Sequence, residues 1–413
     1  MTLRARKPDG TLLEGANIIN EVTRSLGPRQ SATFSLRDVF GTGASTSSVA
    51  SVEVQSQNTG LVINGIVSAG NRRFANSQTP EAALTLLPFN RRTAADIPAL
   101  TLHNTGTSET NVTVTLRTAA GAAVATAQRT VVSLGVIRET FSDLFGSVSL
   151  PLDGYIAVRS PISIRSLLIN NVGGRPEAVP TLLPVLSATT IFPFFVFGGG
   201  YNTTLELINP SDTQPVRVIL SAFSPDGTPL TSQPVARTLT TNEKQNFDFA
   251  NIFAVGVGNS TSAGYFSLTL ESGPASNPFV SPPQVFGLVR IGTETASVVL
   301  ALAPDAGNQF YLTPAAETST SYTGLAVVNV SGSAASVTVD AFSASGTLLG
   351  STTFNLNSNA ARIQLLRELI PQSLNNENML IRIASIQGNV KLISFRGTLN
   401  PEELIYLRGE TVP

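Results

Sequence analysis

Apolar and polar residues alternate with a period of two along much of the chain. Val112, Val114 and Leu116 fall on one face of a segment whose other face carries Thr113 and Thr115, and Val337 and Val339 flank Thr338 in the same way. That period marks a β-strand in a sheet with one face buried. The alternating runs are short and are broken by Gly, Pro, Asn and Asp. Pro-Asp-Gly at 8–10 and at 225–227 is a turn with a mechanism, because Pro presets φ and Gly accepts a positive one. A sustained helical period is missing outside 360–370. Many short strands between closely spaced turns predict an all-β chain of sandwiches.

The pattern repeats. Residues 80–88 read PEAALTLLP and residues 176–184 read PEAVPTLLP, seven identities in nine positions at a spacing of 96 (176 − 80). Three strands end in Asn104, Asn209 and Asn329. Four alternating strands run into turn glycines Gly10, Gly121, Gly227 and Gly346. After each comes a short segment with room for one helical turn: FSLRDVF (34–40), FSDLF (141–145), FDFANIF (247–253) and IQLLRELI (363–370). This phase predicts four tandem β-sandwich modules, at 1–90, 91–186, 187–306 and 307–413, with TLLP as the exit strand. The first module lacks the Asn-terminated strand of the others. That fits a truncated product, or an open edge that another copy of the chain fills by strand addition. Prolines at the junctions (Pro88, Pro184, Pro304) favour an extended rod.

Composition narrows the function. The 413 residues are too many for one core. Charged residues are 13% and the net charge is −1, which disfavours nucleic-acid binding. Cysteine is absent and histidine occurs once, so thiolate chemistry and histidine metal sites are excluded. No apolar run is long enough for a spanning helix, and residues 1–13 do not read as a signal peptide. No cofactor, metal or catalytic set is expected.

The segments IFPFFVFGGGYNTTLELINPSDTQPVRVILSAFSPDGTPL (191–230) and YTGLAVVNVSGSAASVTVDAFSASGTLLG (322–350) share an alternating strand, an Asn-terminated strand and a Gly turn. They resemble tandem Ig-like or fibronectin-like β-sandwich repeats of secreted bacterial proteins from acidobacteria-like genomes. The resemblance implies an extracellular or cell-surface module with no established activity and carries over no site residues.

Candidate chemistry is sparse. His103 sits at a strand end. Gly198-Gly199-Gly200 precedes a strand, unlike a phosphate-binding loop, and reads as a turn between modules. The aromatics around it read as packing at the junction of the second and third modules, or as an exposed patch; the candidate contact residues are Phe194, Phe195, Phe197, Tyr201 and Tyr322. Asp38 and Asp143 recur at one landmark, as local caps would. Arg72-Arg73 and Arg91-Arg92 read as solvated loops. Asn111, Asn202, Asn259 and Asn329 head glycosylation sequons. The leading expectation is a non-enzymatic structural, spacer or adhesive segment of an exported surface or filament protein. The alternatives are a carbohydrate-binding array that contacts a surface glycan, or a virion fibre component.

Overall fold

The structure is a computed structural model that describes residues 1–57, 61, 63–69, 72–77, 81–171, 176–186, 188–253, 261–271, 284–293, 297–302, 306–399 and 402–407. The chain is all-β. The N-terminal unit holds β1 (Thr2–Arg6), β2 (Val22–Thr23), α1 (Leu36–Phe40), β3 (Ser51–Gln55), β4 (Asn64–Ala69) and β5 (Arg72–Ser77). The second holds β6 (Ala82–Asn90), β7 (Ala99–His103), β8 (Thr110–Thr118), β9 (Ala123–Val131), β10 (Val136–Thr140), α2 (Phe141–Phe145), β11 (Asp153–Asn171) and β12 (Pro176–Pro180). The third holds β13 (Thr189–Phe197), β14 (Asn202–Ile208), β15 (Val216–Phe223), β16 (Val235–Leu239), β17 (Lys244–Asp248), α3 (Phe249–Phe253), β18 (Ser262–Glu271), β19 (Phe286–Gly292) and β20 (Ser297–Ala301). The fourth holds β21 (Ala306–Gly307), β22 (Gln309–Glu317), β23 (Ser321–Asn329), β24 (Ala335–Phe342), β25 (Leu348–Leu356), β26 (Ala361–Leu365), α4 (Leu366–Leu369), β27 (Asn376–Ile386), β28 (Val390–Leu399) and β29 (Glu402–Leu407).

The last three units share one topology. A first sheet runs β13-β18-β15-β16 in the third unit and β22-β27-β24-β25 in the fourth. A second sheet runs β17-β14-β19-β20 and β26-β23-β28-β29. In the second unit the long β11 serves both sheets. Residues 153–159 pair with β6 and β8, and residues 165–171 pair with β7 and β12. The N-terminal unit has a three-stranded sheet, β2-β1-β3, and the hairpin β4-β5.

The helices recur for a local reason. Ser35 caps α1 with Asp38, and Thr140 caps α2 with Asp143, each as a reciprocal capping box. The recurring aspartates are caps, as their repetition suggests.

Three expectations change. The first copy of TLLP does not close the first module: it lies in β6, which pairs with β11 of the second unit. In the second copy Pro176–Pro180 forms β12, and residues 181–184 run on outside any strand. Secondly, one-sided burial holds for β7, β8 and β15 but fails for the second sheets of the third and fourth units. In β14, Leu205, Glu206, Leu207 and Ile208 are buried in succession, and β19 is buried at six of seven positions. Both faces of those sheets are covered, because each packs on the preceding unit. Ile208, Phe286, Leu288 and Val299 of the third unit belong to the core of the second, and Ile393 and Phe395 of the fourth belong to the core of the third.

Thirdly, the units do not form a rod. The turn after β1, β8, β15 or β24 docks under the next unit, and the fourth docks under the first. The backbone N–H of Val136 donates to Pro8 O at 2.8 Å, Lys244 N–H to Ala119 O at 2.8 Å, Ala361 N–H to Pro225 O at 2.7 Å, and Ser31 N–H to Ala344 O at 3.1 Å. Each donor lies five residues before its unit's helix, and each acceptor two residues before a turn glycine. A side chain on Gly121 would meet Asn242 O at 2.6 Å, on Gly227 Asn359 O at 3.0 Å, and on Gly346 Pro28 O at 2.9 Å. Gly10 lies equally close against Ser133 and Leu134. β5 neighbours β12, β12 neighbours β20, β20 neighbours β29, and β29 neighbours β5. Four equivalent joints therefore close the chain into a ring.

Gly121 has φ 88° and Gly146 has φ 65°, but a side chain on Gly146 would meet nothing within 4 Å. Gly146→Ala is expected to cost backbone strain alone, because φ 65° with ψ −134° lies outside the regions open to L-residues, about 1–3 kcal/mol. Gly121→Ala must also displace the Asn242 backbone, so its loss in urea melts is expected to be clearly larger. Equal losses would remove the joint from the account.

Candidate functional site

The aromatic candidates separate on burial. Phe195 and Phe197 are core residues, 0% and 1% exposed, stacked on each other at 5.6 Å. Neither presents a face to a ligand. Phe194, on the other side of β13, is half-buried against Phe395 at 5.2 Å. That contact joins the third and fourth units, not the second and third. Tyr201 is partly buried on the same core. Tyr322 is partly buried, with its ring over the backbone of Gly397. The five residues do not gather in one exposed patch. Gly198, Gly199 and Gly200, at φ 80°, 59° and 88°, make the tight turn between β13 and β14 inside the third unit, closed by Tyr201 N–H to Gly198 O at 3.1 Å.

The Asn landmark is a structural clasp. Asn104, Asn209 and Asn329 are each fully buried. The Asn209 Nδ2 donates to Gln214 O (2.8 Å), Leu239 O (3.3 Å) and Thr240 O (2.9 Å), while its Oδ1 accepts from Ser211 N–H at 3.0 Å. Asn104 and Asn329 repeat the arrangement on Ser108, Val131 and Val132, and on Ser333, Leu356 and Asn357. Only a short side chain with both an amide donor and an acceptor fills this role. The burial also removes Asn329 from reach as a sequon in the folded chain. Asn111 is exposed, Asn202 is half-buried, and Asn259 lies outside the described residues.

Buried threonines clip strands together. Thr203 Oγ1 donates to Val196 O and accepts from Val196 N–H, and Thr323 does the same with Ala316. The two TLLP blocks use their threonines alike: Thr85 with Leu182, Thr181 with Ser166. Their identity therefore reflects a shared clip in different strand contexts.

The densest ionisable group lies where the second and third units meet. Glu206 on β14 and Lys244 on β17 are buried and sit 2.9 Å apart. Lys244 also pairs with Asp153 of β11 and donates to Phe89 O at 3.1 Å. Arg290 on β19 pairs with Glu206 and grips both oxygens of Glu177 on β12, at 2.6 and 2.7 Å. Ser297 adds a bond to Glu177 at 3.0 Å. Burial alone would push the Glu206 carboxyl up, but Arg290 and Lys244 outweigh it and hold it down at about 2. Glu206 is thus an anion ion-paired with two cations, unsuited to general-acid work at neutral pH.

Sequence reading misses this cluster. The signals on offer are a glutamate at the centre of TLELI and the rarity of lysine, with Lys244 one of three. A polar position in a strand with one buried face reads as facing water.

His103, on β7, is pushed down to about 4 by burial and by Arg165, so it is neutral at pH 7. Arg91 is buried and donates to Asp96 O (2.7 Å) and Leu150 O (2.9 Å), not solvated as expected, whereas Arg92 is exposed. Among the described residues no group of three or more acidic or histidine side chains is placed to hold a metal, and no helix is long and apolar enough to cross a membrane. No family model matches the chain, and no similar curated protein was found.

Glu206→Gln is expected to cost about 3 kcal/mol or more at pH 7, since it leaves two buried cations short of an anion. A carboxylate depressed on folding stabilises above its unfolded value near 4.5 and loses that effect as pH falls toward about 2. The gap between the wild type and Glu206→Gln should therefore shrink between pH 4.5 and 2. A gap constant over that range in denaturant melts would contradict the ion cluster.

Proposed function

We propose that this chain is a non-enzymatic structural or adhesive part of an exported bacterial surface or filament protein, built as a closed platform and not as an extended spacer. The observation that carries the reading is the use of its polar residues. The recurring Asn, Thr and capping Asp residues are all engaged in holding strands, turns and helices together. The densest cluster of buried carboxylates among the described residues is taken up by the seam between two units. What remains for contact is loop and edge surface, which suits adhesion or assembly better than turnover. The low charge and high Ser, Thr and Asn content leave that surface neutral and hydrogen-bonding, and support a solid or polymeric partner over a nucleic acid.

The purified chain should retain carbohydrate-coated or cell-wall-coated beads under flow and show no turnover of a panel of glycoside, ester and peptide substrates. Turnover that Glu177→Gln abolishes while the circular dichroism spectrum is unchanged would overturn the non-enzymatic reading.

A further inference from the structure

The seam between the second and third units sets one amine against two carboxylates. The side chain of Lys244, on β17, is fully buried. Its Nζ donates to Phe89 O at 3.1 Å and to Oδ1 of Asp153, the first residue of β11. Oδ2 of Asp153 accepts from the Asn246 side-chain amide at 3.1 Å. The second carboxylate is Glu206, also fully buried, with Oε2 2.9 Å from the same Nζ. That oxygen accepts no aligned hydrogen bond among the described residues, so a lone pair stands open beside the nitrogen. Arg290 holds the other oxygen of Glu206.

Neutralising Lys244 needs only Glu206. Asp153 comes in from the neighbouring unit as well, with its side chain 36% exposed. Together these groups are the parts that an amide condensation requires. Lys244 is a nucleophile held against a carboxyl carbon, in the kind of contact that gives a high effective concentration. Asn246 donates to the carboxyl oxygen on which charge gathers. Glu206 is a base next to the nitrogen, and the exposed side of Asp153 is an exit for water.

We propose that Lys244 and Asp153 condense into an isopeptide bond that ties β17 to β11 across the seam, with Glu206 as the proton relay. Lys244 first passes a proton to Oδ1 of Asp153, which gives a free amine and a carboxylic acid. The Nζ lone pair attacks Cγ, and negative charge forms on Oδ2, where Asn246 donates. Glu206 works from its anionic form, which its two cations favour. It takes the proton that the nitrogen sheds and delivers it to the Oδ1 hydroxyl. The Cγ–Oδ1 bond breaks, the Nζ–Cγ bond stays, and one water leaves. No oxidant, reductant or co-reactant enters. Condensation removes one cation and one anion, so the cluster keeps its net charge and Glu206 stays paired with Arg290. The bond forms once per molecule, which is self-modification and not turnover.

Mass spectrometry of the purified whole chain reads the bond directly. The wild type is expected to be lighter than its sequence by one water, and its tryptic digest to contain two peptides joined through Lys244 and Asp153. Lys244→Arg and Asp153→Ala should each keep the full mass. In samples timed from synthesis, Glu206→Gln, with its fold checked by circular dichroism, should form the joined peptides about a hundredfold more slowly. Joining at the wild-type rate in that variant would remove Glu206 as the relay. A wild-type mass equal to that of the sequence would overturn the proposal outright. So would a lost water that persists in Lys244→Arg, because a succinimide at Asp153-Gly154 sheds one too without joining two peptides.

Discussion

The structure rests on the need to cover both faces of the second sheets in the third and fourth units. A lone sandwich buries one face of each of its sheets and leaves the other to water. Here the outer faces of β14, β19, β23 and β28 are apolar too, so a unit cannot stand alone without exposing them. Each is covered by the unit before it. The joint that aligns the two is small: one backbone hydrogen bond from the residue five before the helix, and one glycine turn pressed against a backbone carbonyl. A turn with a side chain at that glycine could not approach so closely, which is why Gly10, Gly121, Gly227 and Gly346 recur where each unit meets its neighbour.

This coverage explains the composition. Charge at 13% and a positive mean hydropathy are unusual for an array of separate surface modules. They are ordinary for stacked sheets with few wet faces. The seam between the second and third units departs from the apolar rule. There Glu206, Lys244, Arg290, Glu177 and Asp153 compensate one another. A buried network of this kind adds little net stability against an apolar replacement but penalises any misaligned docking. In a chain whose units are alike, such a cost keeps the second unit from engaging the wrong partner.

The all-β class, the turn glycines, the Asn-terminated strands and the capping aspartates are legible in the sequence because each is a local signal. The phase of the strands is not. TLLP occurs twice with nearly the same flanks, yet Thr85 lies in β6 and Thr181 outside any strand, since the second copy has Pro180 where the first has Leu84 and the chain leaves the sheet there. Ring closure is hidden for a different reason: alternation reports which residues are apolar, not how many sheets share them. Glu206 reads as a solvent-facing residue until the neighbouring unit is in place. The same limit applies to the aromatic run at 192–197, where Phe195 and Phe197 face the core of their own unit and Phe194 faces the next.

Closure between the fourth unit and the first is the central claim, and the absence of native cysteine makes it directly measurable. Gln30 donates to Ser345 O at 3.3 Å, and the Arg29 guanidinium lies 5.0 Å from the Phe342 ring centre. A chain carrying Gln30→Cys and Ser345→Cys can be oxidised at low concentration and run on a non-reducing gel, with each single variant as control. A closed ring gives a fast-migrating monomer, cross-linked within the chain in near-complete yield. Free thiols that persist in the monomer, or cross-links formed only between chains, would contradict the ring.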